Sequence, residues 1–324
     1  MNQKTLCFVA GRSGGHIIPA LTLCEKSNVT TIVFFSANSP IDKKLTANNK
    51  LITHNYHLAL DNVPLRKPWK LPLFGIQFLH VFFKSLFVLK KKKPEKVIST
   101  GGYISIPVCL AARALSIPFE LFEFNAIPGK ATKFLAPFAK KINICFEQAK
   151  QHLPNNKTFY TPYPIRYKNT EPPNKHDAKK QLNLSPDKKT ILVLGGSQGS
   201  IALNNMIKKS IMNTKNASKT IQFIHQTGAL DTTNWNQFYK QHNITALTAP
   251  FFENLEPCYH AADLVICRSG AGSLFETLFF KKNCVTVPLE TKQNNHQAFN
   301  ALAIKEAYPD LFTVAKQEAI LYFE

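Results

Sequence analysis

Three glycine-rich segments follow apolar runs in this sequence: residues 10–16 (AGRSGGH), 100–105 (TGGYIS) and 195–200 (GGSQGS). Glycine lets a backbone approach a ligand closely, and a helix that begins after such a turn offers N–H groups and a positive dipole to an anion. One glycine turn is common in any protein. Three of them at the ends of apolar runs favour a ligand that carries phosphate groups.

One histidine stands beside the first of these segments. His16 lies where the glycine segment ends and a predicted helix starts, so its imidazole could face a ligand and take a proton from a hydroxyl near neutral pH. The same position also suits a histidine that merely caps or packs against the helix. The residues alone leave both roles open.

Two polar groups in the second half suit a nucleoside or a sugar. Glu276 follows the turn at 268–273 (RSGAGS) among Leu, Phe and Thr, so its carboxylate could accept both hydroxyls of a ribose. It could equally be a first-turn acid that complements the helix dipole. Residues 292–297 (KQNNHQ) offer amides that donate and accept hydrogen bonds, as sugar hydroxyls require, although a solvated helix start would look the same.

The segments that would position these groups alternate between strand and helix. The alternation occurs twice, and a polar, proline-rich stretch at 162–186 separates the two series. It predicts two doubly wound, Rossmann-like α/β domains, 1–162 and 163–324, with a cleft between them and ligands at the carboxyl ends of the strands. We predict strands near 5–10, 30–35, 96–99, 118–122, 142–146, 190–194, 220–225, 244–247, 263–267 and 284–288, and helices near 16–26, 73–91, 103–115, 130–137, 200–211, 255–261, 272–281 and 294–307.

Length and composition are those of a globular protein with two hydrophobic cores. The chain has 324 residues, which is longer than most domains with a single hydrophobic core, and 44% of its residues are hydrophobic. Its formal net charge of +20 favours anionic partners such as phosphates, nucleic acid or anionic lipid, although solubility explains much of the lysine content. The seven cysteines form no C-x-x-C pair and suit reduced core thiols. The N-terminus lacks the order of a signal peptide, so we expect a cytoplasmic protein.

Several common nucleotide and metal motifs are absent from the sequence. No glycine segment is a full G-x-G-x-x-G with an acidic residue at the distance expected for a nicotinamide ribose, which disfavours a dehydrogenase. No G-x-x-x-x-G-K-S/T is present, which excludes an ordinary P-loop ATPase or kinase. H-E-x-x-H and clusters of metal ligands are also missing, so we expect neither a metal nor a cofactor.

Six segments, taken in order, resemble motifs of the MurG family. The resemblance runs over nearly the whole chain and implies a GT-B fold and a UDP-GlcNAc-dependent N-acetylglucosaminyltransferase. It further implies inverting, metal-independent transfer of GlcNAc to the 4-hydroxyl of MurNAc-pentapeptide on undecaprenyl diphosphate, the lipid I to lipid II step of peptidoglycan synthesis. The segments are Ser13–His16, Gly101–Pro107, Glu123–Gly129, Gly195–Gly199, His225–Gly228 and Arg268–Glu276.

By motif, the resemblance assigns roles to individual residues. Arg12 stands where the family pattern usually has glycine, and Phe122 and Phe124 replace the His and Gln that usually flank the glutamate. His16 is the candidate base. The candidate donor-binding residues are Ser13, Gly14, Gly15, Asn125, Arg166, Ser197, Gln198, Glu276 and Gln297, and those for the acceptor diphosphate are Arg12, Gly101, Gly102 and Tyr103.

An apolar stretch at 71–89 leads into four lysines at 90–93. His80 and Lys84 interrupt it, so we do not expect it to span a membrane. One helical face could pack while another meets lipid, with basic residues contributing about 1 kcal/mol each near anionic headgroups. The resemblance supports a peripheral site on the cytoplasmic face of the inner membrane, and a buried helix with a solvated lysine end is the alternative. The predicted patch is Phe74, Leu79, Phe82, Phe83, Lys90 and Lys91.

Two other kinds of function remain open from the sequence. The first is another enzyme of the same fold, either a transferase with a different lipid acceptor or a UDP-sugar epimerase, which would need no lipid. The second is a non-enzymatic basic protein that binds nucleic acid. The chain lacks the clustered aromatic and basic platforms of such proteins, so we expect no nucleic acid partner. The expected partners are UDP-GlcNAc, the lipid-linked acceptor and an anionic membrane surface.

Overall fold

The computed structural model describes residues 4–47, 49–64, 67–168, 173–196, 199–215, 217–289 and 295–323. The chain divides into two compact units, Met1–Arg166 and Tyr167–Glu324. Each unit alternates strands with helices around its own parallel sheet. The boundary predicted near Tyr163 lies close to this division.

The inner strands of the first unit, such as Thr5–Ala10 and Thr31–Ala37, are rich in β-branched and aromatic residues and are buried on both faces, as parallel strands covered by helices must be. Its described strands are β1 (Thr5–Ala10), β2 (Thr31–Ala37), β3 (His54–Leu58), β4 (Lys96–Gly101), β5 (Phe119–Glu123), β6 (Lys141–Ile144) and β7 (Thr158–Tyr160). They pair in the order β3-β2-β1-β4-β5-β6-β7, all parallel. The order reverses between β1 and β4, and ligands of such sheets bind where this reversal occurs.

Helices cover both faces of the first sheet. The core on one face includes Val81 and Leu89 together with Val108, and the core on the other includes Phe8 and Ile17. The described helices are α1 (Gly14–Glu25), α2 (Pro40–Thr46), α3 (Leu71–Lys92), α4 (Ser105–Ala114) and α5 (Lys130–Leu135).

The second unit repeats the same topology. Its described strands are β8 (Lys189–Leu194), β9 (Ile221–Gln226), β10 (Ala246–Ala249), β11 (Leu264–Cys267), β12 (Asn283–Thr286) and β13 (Phe312–Val314). They pair in parallel in the order β10-β9-β8-β11-β12-β13, so the order reverses between β8 and β11. The described helices are α6 (Lys175–Gln181), α7 (Ile201–Asn213), α8 (Ala217–Thr220), α9 (Trp235–Gln241), α10 (Glu256–Ala261), α11 (Ala271–Phe279) and α12 (His296–Ala307).

The predicted fold class, two doubly wound α/β domains, is confirmed by these two sheets. The prediction missed the outer strands β3, β7 and β13 and the helices α2, α8 and α9. These elements are short, and β3 (HNYHL) and β7 (TFY) carry few aliphatic residues. They are stable because they pair with or pack on a neighbour, which local sequence patterns do not record.

Candidate functional site

His16 is the third residue of α1 and is half-buried. Its Nδ1 lies 2.7 Å from the carbonyl oxygen of Thr100, and the Thr100 hydroxyl donates to the carbonyl oxygen of His16 at 2.9 Å. Because a carbonyl oxygen can only accept, Nδ1 must carry the proton of the neutral ring. The basic lone pair is then on Nε2, which is the arrangement a general base requires.

The turn after β4 holds the other side of the imidazole. Gly101 has φ +109°, and a β-carbon there would lie 2.8 Å from Cε1 and 2.9 Å from Nδ1 of His16. Only glycine fits this conformation and this contact. The structure therefore brings together Gly101, assigned by sequence to the acceptor diphosphate, and His16, assigned to catalysis. Gly102 and the half-buried Tyr103 follow in the same turn.

The start of α1 offers backbone N–H groups at the same edge of the sheet. Ser13 is the N-cap, in an extended conformation, and Gly14 and Gly15 are the first two helical residues. The first turn of a helix leaves N–H groups without partners inside the helix, so they can bind an anion. The predicted residues Ser13, Gly14 and Gly15 are thus next to His16 and suited to a phosphate.

Arg12 adopts a left-handed conformation, with φ +66°, at the position where the family pattern usually has glycine. That conformation costs a non-glycine residue about 1–2 kcal/mol. The Arg12 N–H donates to both carboxylate oxygens of Asp42, at 3.2 and 3.1 Å. A hydrogen bond to a charged group contributes about 1.5–3 kcal/mol, enough to offset the strain.

The Arg12 guanidinium binds the segment after β3. It donates to the Asn62 side chain at 2.6 Å and to the carbonyl oxygen of Leu60, and it lies 3.8 Å from the Asp61 carboxylate. In this structure the guanidinium proposed for the acceptor diphosphate is therefore engaged with its own chain. Asp42 was missed from the sequence, although the pattern Ser39-Pro40-Ile41-Asp42 after a strand is a helix-start signal.

Glu123 shapes the turn after β5 that carries Asn125. Its Oε1 accepts the backbone N–H and the Nδ2 of Asn125 at 3.0 and 2.9 Å, and its Oε2 accepts the N–H of Gly129 at 2.9 Å. Because Nδ2 faces Glu123, the Oδ1 of Asn125 points away from that carboxylate. Glu123 therefore fixes the orientation of the Asn125 amide in this turn.

The turns after β8 and β9 touch in the second unit. Gly199 has φ +79°, and a β-carbon there would lie 2.4 Å from the Cα of Gly228, which only glycine avoids. The Gln226 amide donates to the carbonyl oxygen of Gly196 at 3.1 Å and accepts the N–H of Phe252 at 3.0 Å, so it also fixes the turn after β10. The predicted residues Ser197 and Gln198 lie outside the described residues.

Arg268 fixes the start of α7, the first helix after the glycine turn of the second unit. Its Nε donates to the Oγ of Ser200 at 2.8 Å, and Ser200 caps α7 by accepting the N–H of Leu203. The Arg268 Nη1 donates to the carbonyl oxygens of Val287 and Pro288, both at 3.1 Å. The sequence showed Arg268 only as part of a motif, because this role depends on residues far away in the chain.

A buried polar network supports the turn after β9. Asn204 donates to Thr227 O at 2.8 Å and to Asp231 at 2.6 Å, so its Oδ1 faces His225 Nε2, at 3.0 Å, and must accept from it. Nδ1 of His225 is then the acceptor for the Tyr239 hydroxyl at 3.0 Å. Burial lowers the pKa of His225 to about 3. The ring is therefore neutral in the folded protein.

Glu276 is the sixth residue of α11, so the alternative that it is a first-turn acid is wrong. It is half-buried, and its Oε2 lies 3.4 Å from the Tyr259 hydroxyl. Burial, with a contribution from the Glu276 charge, raises the pKa of Tyr259, which keeps this hydroxyl protonated and able to donate. Glu276 is thus one turn into its helix, with one oxygen oriented by a tyrosine.

The remaining predicted donor residues lie in separate places. Gln297 is in the first turn of α12, and its Oε1 accepts the N–H of Leu289 at 2.9 Å. Its neighbours 292–294 lie outside the described residues. Arg166 is the last residue of the first unit and is half-buried.

Within the ranges that the structure describes, no group of three or more His, Cys, Asp or Glu side chains could hold a metal ion. All seven cysteines are described, and each is a buried free thiol. Burial raises the pKa of most of these thiols. They have the character of core residues and not of nucleophiles.

Both units match domains of known glycosyltransferases. Residues 6–144 match the glycosyltransferase family 28 N-terminal domain, and residues 190–318 match the glycosyltransferase family 28 C-terminal domain. A UDP-N-acetylglucosamine--N-acetylmuramyl-(pentapeptide) pyrophosphoryl-undecaprenol N-acetylglucosamine transferase of Caldicellulosiruptor saccharolyticus is 32% identical over 316 residues, which cover 94% of this chain and 83% of that relative. The chain belongs to the MurG family.

Other comparisons agree with membership of the MurG family. A relative of the same name from Geotalea uraniireducens is 29% identical over 311 residues, covering 93% of this chain and 83% of the relative. The crystal structure of Acinetobacter baumannii MurG superposes with a TM-score of 0.72 at 24% identity, over 98% of this chain and 87% of that one. A UDP-GlcNAc 2-epimerase from Methanocaldococcus jannaschii also shares the fold, with a TM-score of 0.58 at 15% identity, over 97% and 89% of the two chains. The fold is therefore common to transferases and epimerases, and membership of the MurG family is what distinguishes the two for this chain.

The MurG-family resemblance also predicted a membrane patch, and this falls on α3. Among the described residues, Pro68–Lys92 is the one helical stretch long and apolar enough to cross a membrane, by length and composition only. One face of it, which includes Val81, Val88 and Leu89, is buried in the core of the first unit. If α3 left the first unit to cross a bilayer, that core would be exposed to water, which argues against a membrane-spanning role.

Two residues of the predicted patch lie on the inner side of α3. Phe74 and Phe82 are half-buried and pack against the core, because they lie on the helical face that meets the sheet. Lys90 and Lys91 are exposed. The outward apolar residues recur at intervals of three and four, so they form one continuous stripe. This α3 stripe consists of Trp69, in the 3₁₀ turn just before α3, and of Leu73, Ile76, Leu79, Phe83 and Phe87 of α3 itself, all more than 50% exposed.

Proposed function

We propose that this chain transfers GlcNAc from UDP-GlcNAc to the 4-hydroxyl of MurNAc-pentapeptide on undecaprenyl diphosphate, with inversion at the sugar carbon. The relatives at 29–32% identity bear the name of that transferase. The observation that carries the proposal is His16, held with Nε2 as its basic nitrogen beside a phosphate-binding turn. A lipid-linked diphosphate acceptor needs both a base and an anion site in one place.

In this proposal His16 acts as the general base. The acceptor hydroxyl gives its proton to Nε2 while its oxygen bonds to C1 of GlcNAc, and the bond from C1 to the UDP oxygen breaks. The Thr100 carbonyl, which accepts from Nδ1, stabilises the imidazolium that results. Gly14 and Gly15, which the resemblance assigned to the donor, bind the acceptor diphosphate through their backbone N–H groups in this proposal, together with the Gly101–Gly102 turn.

The second unit holds most of the donor in this proposal. The leaving UDP carries negative charge, which the positive end of α7, together with Ser197 and Gln198, stabilises without a metal. Glu276 accepts the ribose hydroxyls, and the tyrosine beside it fixes one of its oxygens. Arg166 binds the donor phosphates, and Gln297 with Asn125 binds the sugar.

We also propose that the α3 stripe holds the enzyme on the cytoplasmic face of the plasma membrane as a peripheral protein. Fully burying one phenylalanine contributes about 1.5–3 kcal/mol, and each lysine near anionic lipid about 1 kcal/mol more. Six exposed apolar residues and the adjacent Lys90 and Lys91 therefore suffice for reversible binding. An enzyme of peptidoglycan synthesis placed there would support cell wall growth, cell shape and division.

UDP release from UDP-GlcNAc in detergent, with and without the lipid-linked acceptor, tests the transfer. We expect release only with acceptor, and a loss of about 10²-fold or more in His16→Ala. The matched control is His152→Ala, which removes an exposed histidine in the same unit and should turn over normally. A changed sugar without any acceptor would instead select the epimerase alternative, and UDP binding without transfer would indicate another acceptor.

Sedimentation with vesicles tests the membrane proposal. Phe83→Ser with Phe87→Ser should weaken binding to vesicles of anionic phospholipid while leaving the enzyme folded, because both side chains are exposed. Leu302→Ser, at an equally exposed apolar residue of α12, is the control and should bind as the wild type does. Equal binding by all three proteins would contradict the proposal.

A further inference from the structure

Asp42 is a buried carboxylate in the first turn of α2. Both of its carboxylate oxygens accept the backbone N–H of Arg12. One oxygen also accepts the N–H of Ala37 at 2.8 Å, and the other accepts the hydroxyl of Ser39 at 2.7 Å. A carboxylate away from water must be satisfied by such donors. Asp42 therefore ties the end of β2 to the turn that follows β1.

The turn held by Asp42 is also packed against the end of β2. A β-carbon on Gly11 would lie 3.2 Å from the backbone nitrogen of Ala37 and 3.1 Å from the Ile104 side chain. The turn thus has almost no free space around its first residue. Its second residue, Arg12, is the strained one, and Asp42 bonds to it directly.

The position of this turn sets the first turn of α1. The carbonyl oxygen of Ser13 accepts the N–H of His16 at 3.1 Å and of Ile17 at 3.2 Å. His16 is therefore fixed from two directions, by Thr100 through its ring and by the turn through its backbone. A shift of the turn would move both the basic nitrogen and the N–H groups of Gly14 and Gly15.

We propose that Asp42 is a positioning residue for the transfer reaction, which holds the turn at 11–13 so that His16 and the start of α1 meet the acceptor. This rests on the proposed function, in which the first unit binds the acceptor. Asp42 touches neither substrate. Its effect should therefore appear in the use of the acceptor and not in the binding of the donor.

Asp42→Asn in the full-length enzyme tests this inference. The amide keeps the shape but is uncharged and has only one oxygen, so it cannot accept every N–H and O–H group that the two carboxylate oxygens accept from Arg12, Ala37 and Ser39. We expect kcat/KM for the lipid-linked acceptor, per folded enzyme, to fall about 10- to 100-fold, whereas the Kd for UDP-GlcNAc stays within about twofold. Wild-type kcat and acceptor KM in folded Asp42→Asn would overturn the inference.

Asp263→Asn is the matched control in the second unit. Asp263 also accepts a backbone N–H, from Thr190 at 2.9 Å, and the ammonium groups of Lys175 and Lys179 at 2.6 and 2.8 Å. It lies just before β11, at the opposite end of the sheet from the donor turns. This variant should lose stability but keep its turnover. An equal loss of turnover in both variants would mean that Asp42 acts only through stability, and would overturn the inference.

Two further measurements cover failure to fold and failure of the proposed function. If Asp42→Asn does not fold, the variant Ser39→Ala replaces it, because it removes only the hydroxyl that donates to the Asp42 carboxylate. In this variant kcat/KM for the acceptor should still fall about threefold or more, and an unchanged value would overturn the inference.

If the wild type transfers nothing to this acceptor, the proposed function fails. Amide hydrogen exchange then tests whether Asp42 holds the turn. Faster exchange at residues 12–17 in the variant than in the wild type would support the inference, and unchanged exchange would overturn it.

Discussion

Gly101→Ala should separate the folding of the first unit from its catalysis. An L-residue at φ +109° costs about 1–3 kcal/mol in backbone strain. The added methyl would also lie 2.8 Å from the His16 ring, whereas carbon atoms pack at about 3.5 Å or more, so the ring must move by about 0.7 Å. That movement breaks the 2.7 Å hydrogen bond to Thr100 that defines the basic nitrogen.

The expected loss in kcat follows from the role of the base. General-base catalysis contributes about 10²- to 10⁴-fold, so a misplaced His16 should lower kcat by about 10²-fold. Melting by circular dichroism should show a modest loss of stability, and calorimetry should show unchanged UDP-GlcNAc affinity, because Gly101 is not among the residues proposed to bind the donor. UDP release at saturating acceptor measures kcat.

Gly75→Ala is the control for this prediction. Nothing lies within 4 Å of a β-carbon at Gly75, which is inside α3, so alanine should leave kcat unchanged and favour the helix by about 0.5–1 kcal/mol. If folded Gly101→Ala turned over at the wild-type rate, the contact between its backbone and the His16 ring would have no bearing on catalysis. The assignment of His16 as the base would then be wrong.

Three further predictions concern the second unit and the thiols. Burial lowers the pKa of His225 from 6.5 to about 3, so between these pH values the unfolded chain binds a proton that the folded unit does not. The free energy of unfolding should therefore fall by about 1.4 kcal/mol for each pH unit below 6.5. Urea melts of His225→Gln should show a flatter pH dependence. An equally steep dependence in the variant would contradict this account. Gly199→Ala would place a methyl 2.4 Å from the Cα of Gly228 and should weaken UDP binding about tenfold or more by calorimetry, which an unchanged Kd would refute. The buried thiols should react slowly with a disulfide reagent at pH 8, and all seven should react quickly in guanidinium; a fast-reacting thiol in the native protein would be inconsistent with their burial.

Much of the fold could be read from local patterns. Long apolar strands such as β1 and β8 are recognisable because a parallel strand covered on both faces is apolar along its whole length. The glycine turns were visible because few other residues permit the backbone to turn and approach a ligand there. The family motifs then gave the fold and the enzyme class, which the comparisons confirm.

The helical faces could not be assigned from the sequence alone. The run in α3 is apolar around more than one face, so its pattern does not say which residues meet the sheet. Phe74 packs inward and Phe87 faces outward, although both are phenylalanines in the same helix. Only the position of the helix on the sheet decides this.

The sequence by itself determined the kinds of groups at the site: glycine turns, a histidine at a helix start and a glutamate in α11. Tertiary structure decided which of them meet. The strand order places β1 beside β4, and this brings the His16 ring against Thr100 and Gly101. Thr100 is 84 residues from His16 in the sequence. It also brings Asp42 to Arg12 across 30 residues. Local patterns record the conformation of each segment, but the pairing of strands distant in sequence depends on the free energy of the whole packed sheet.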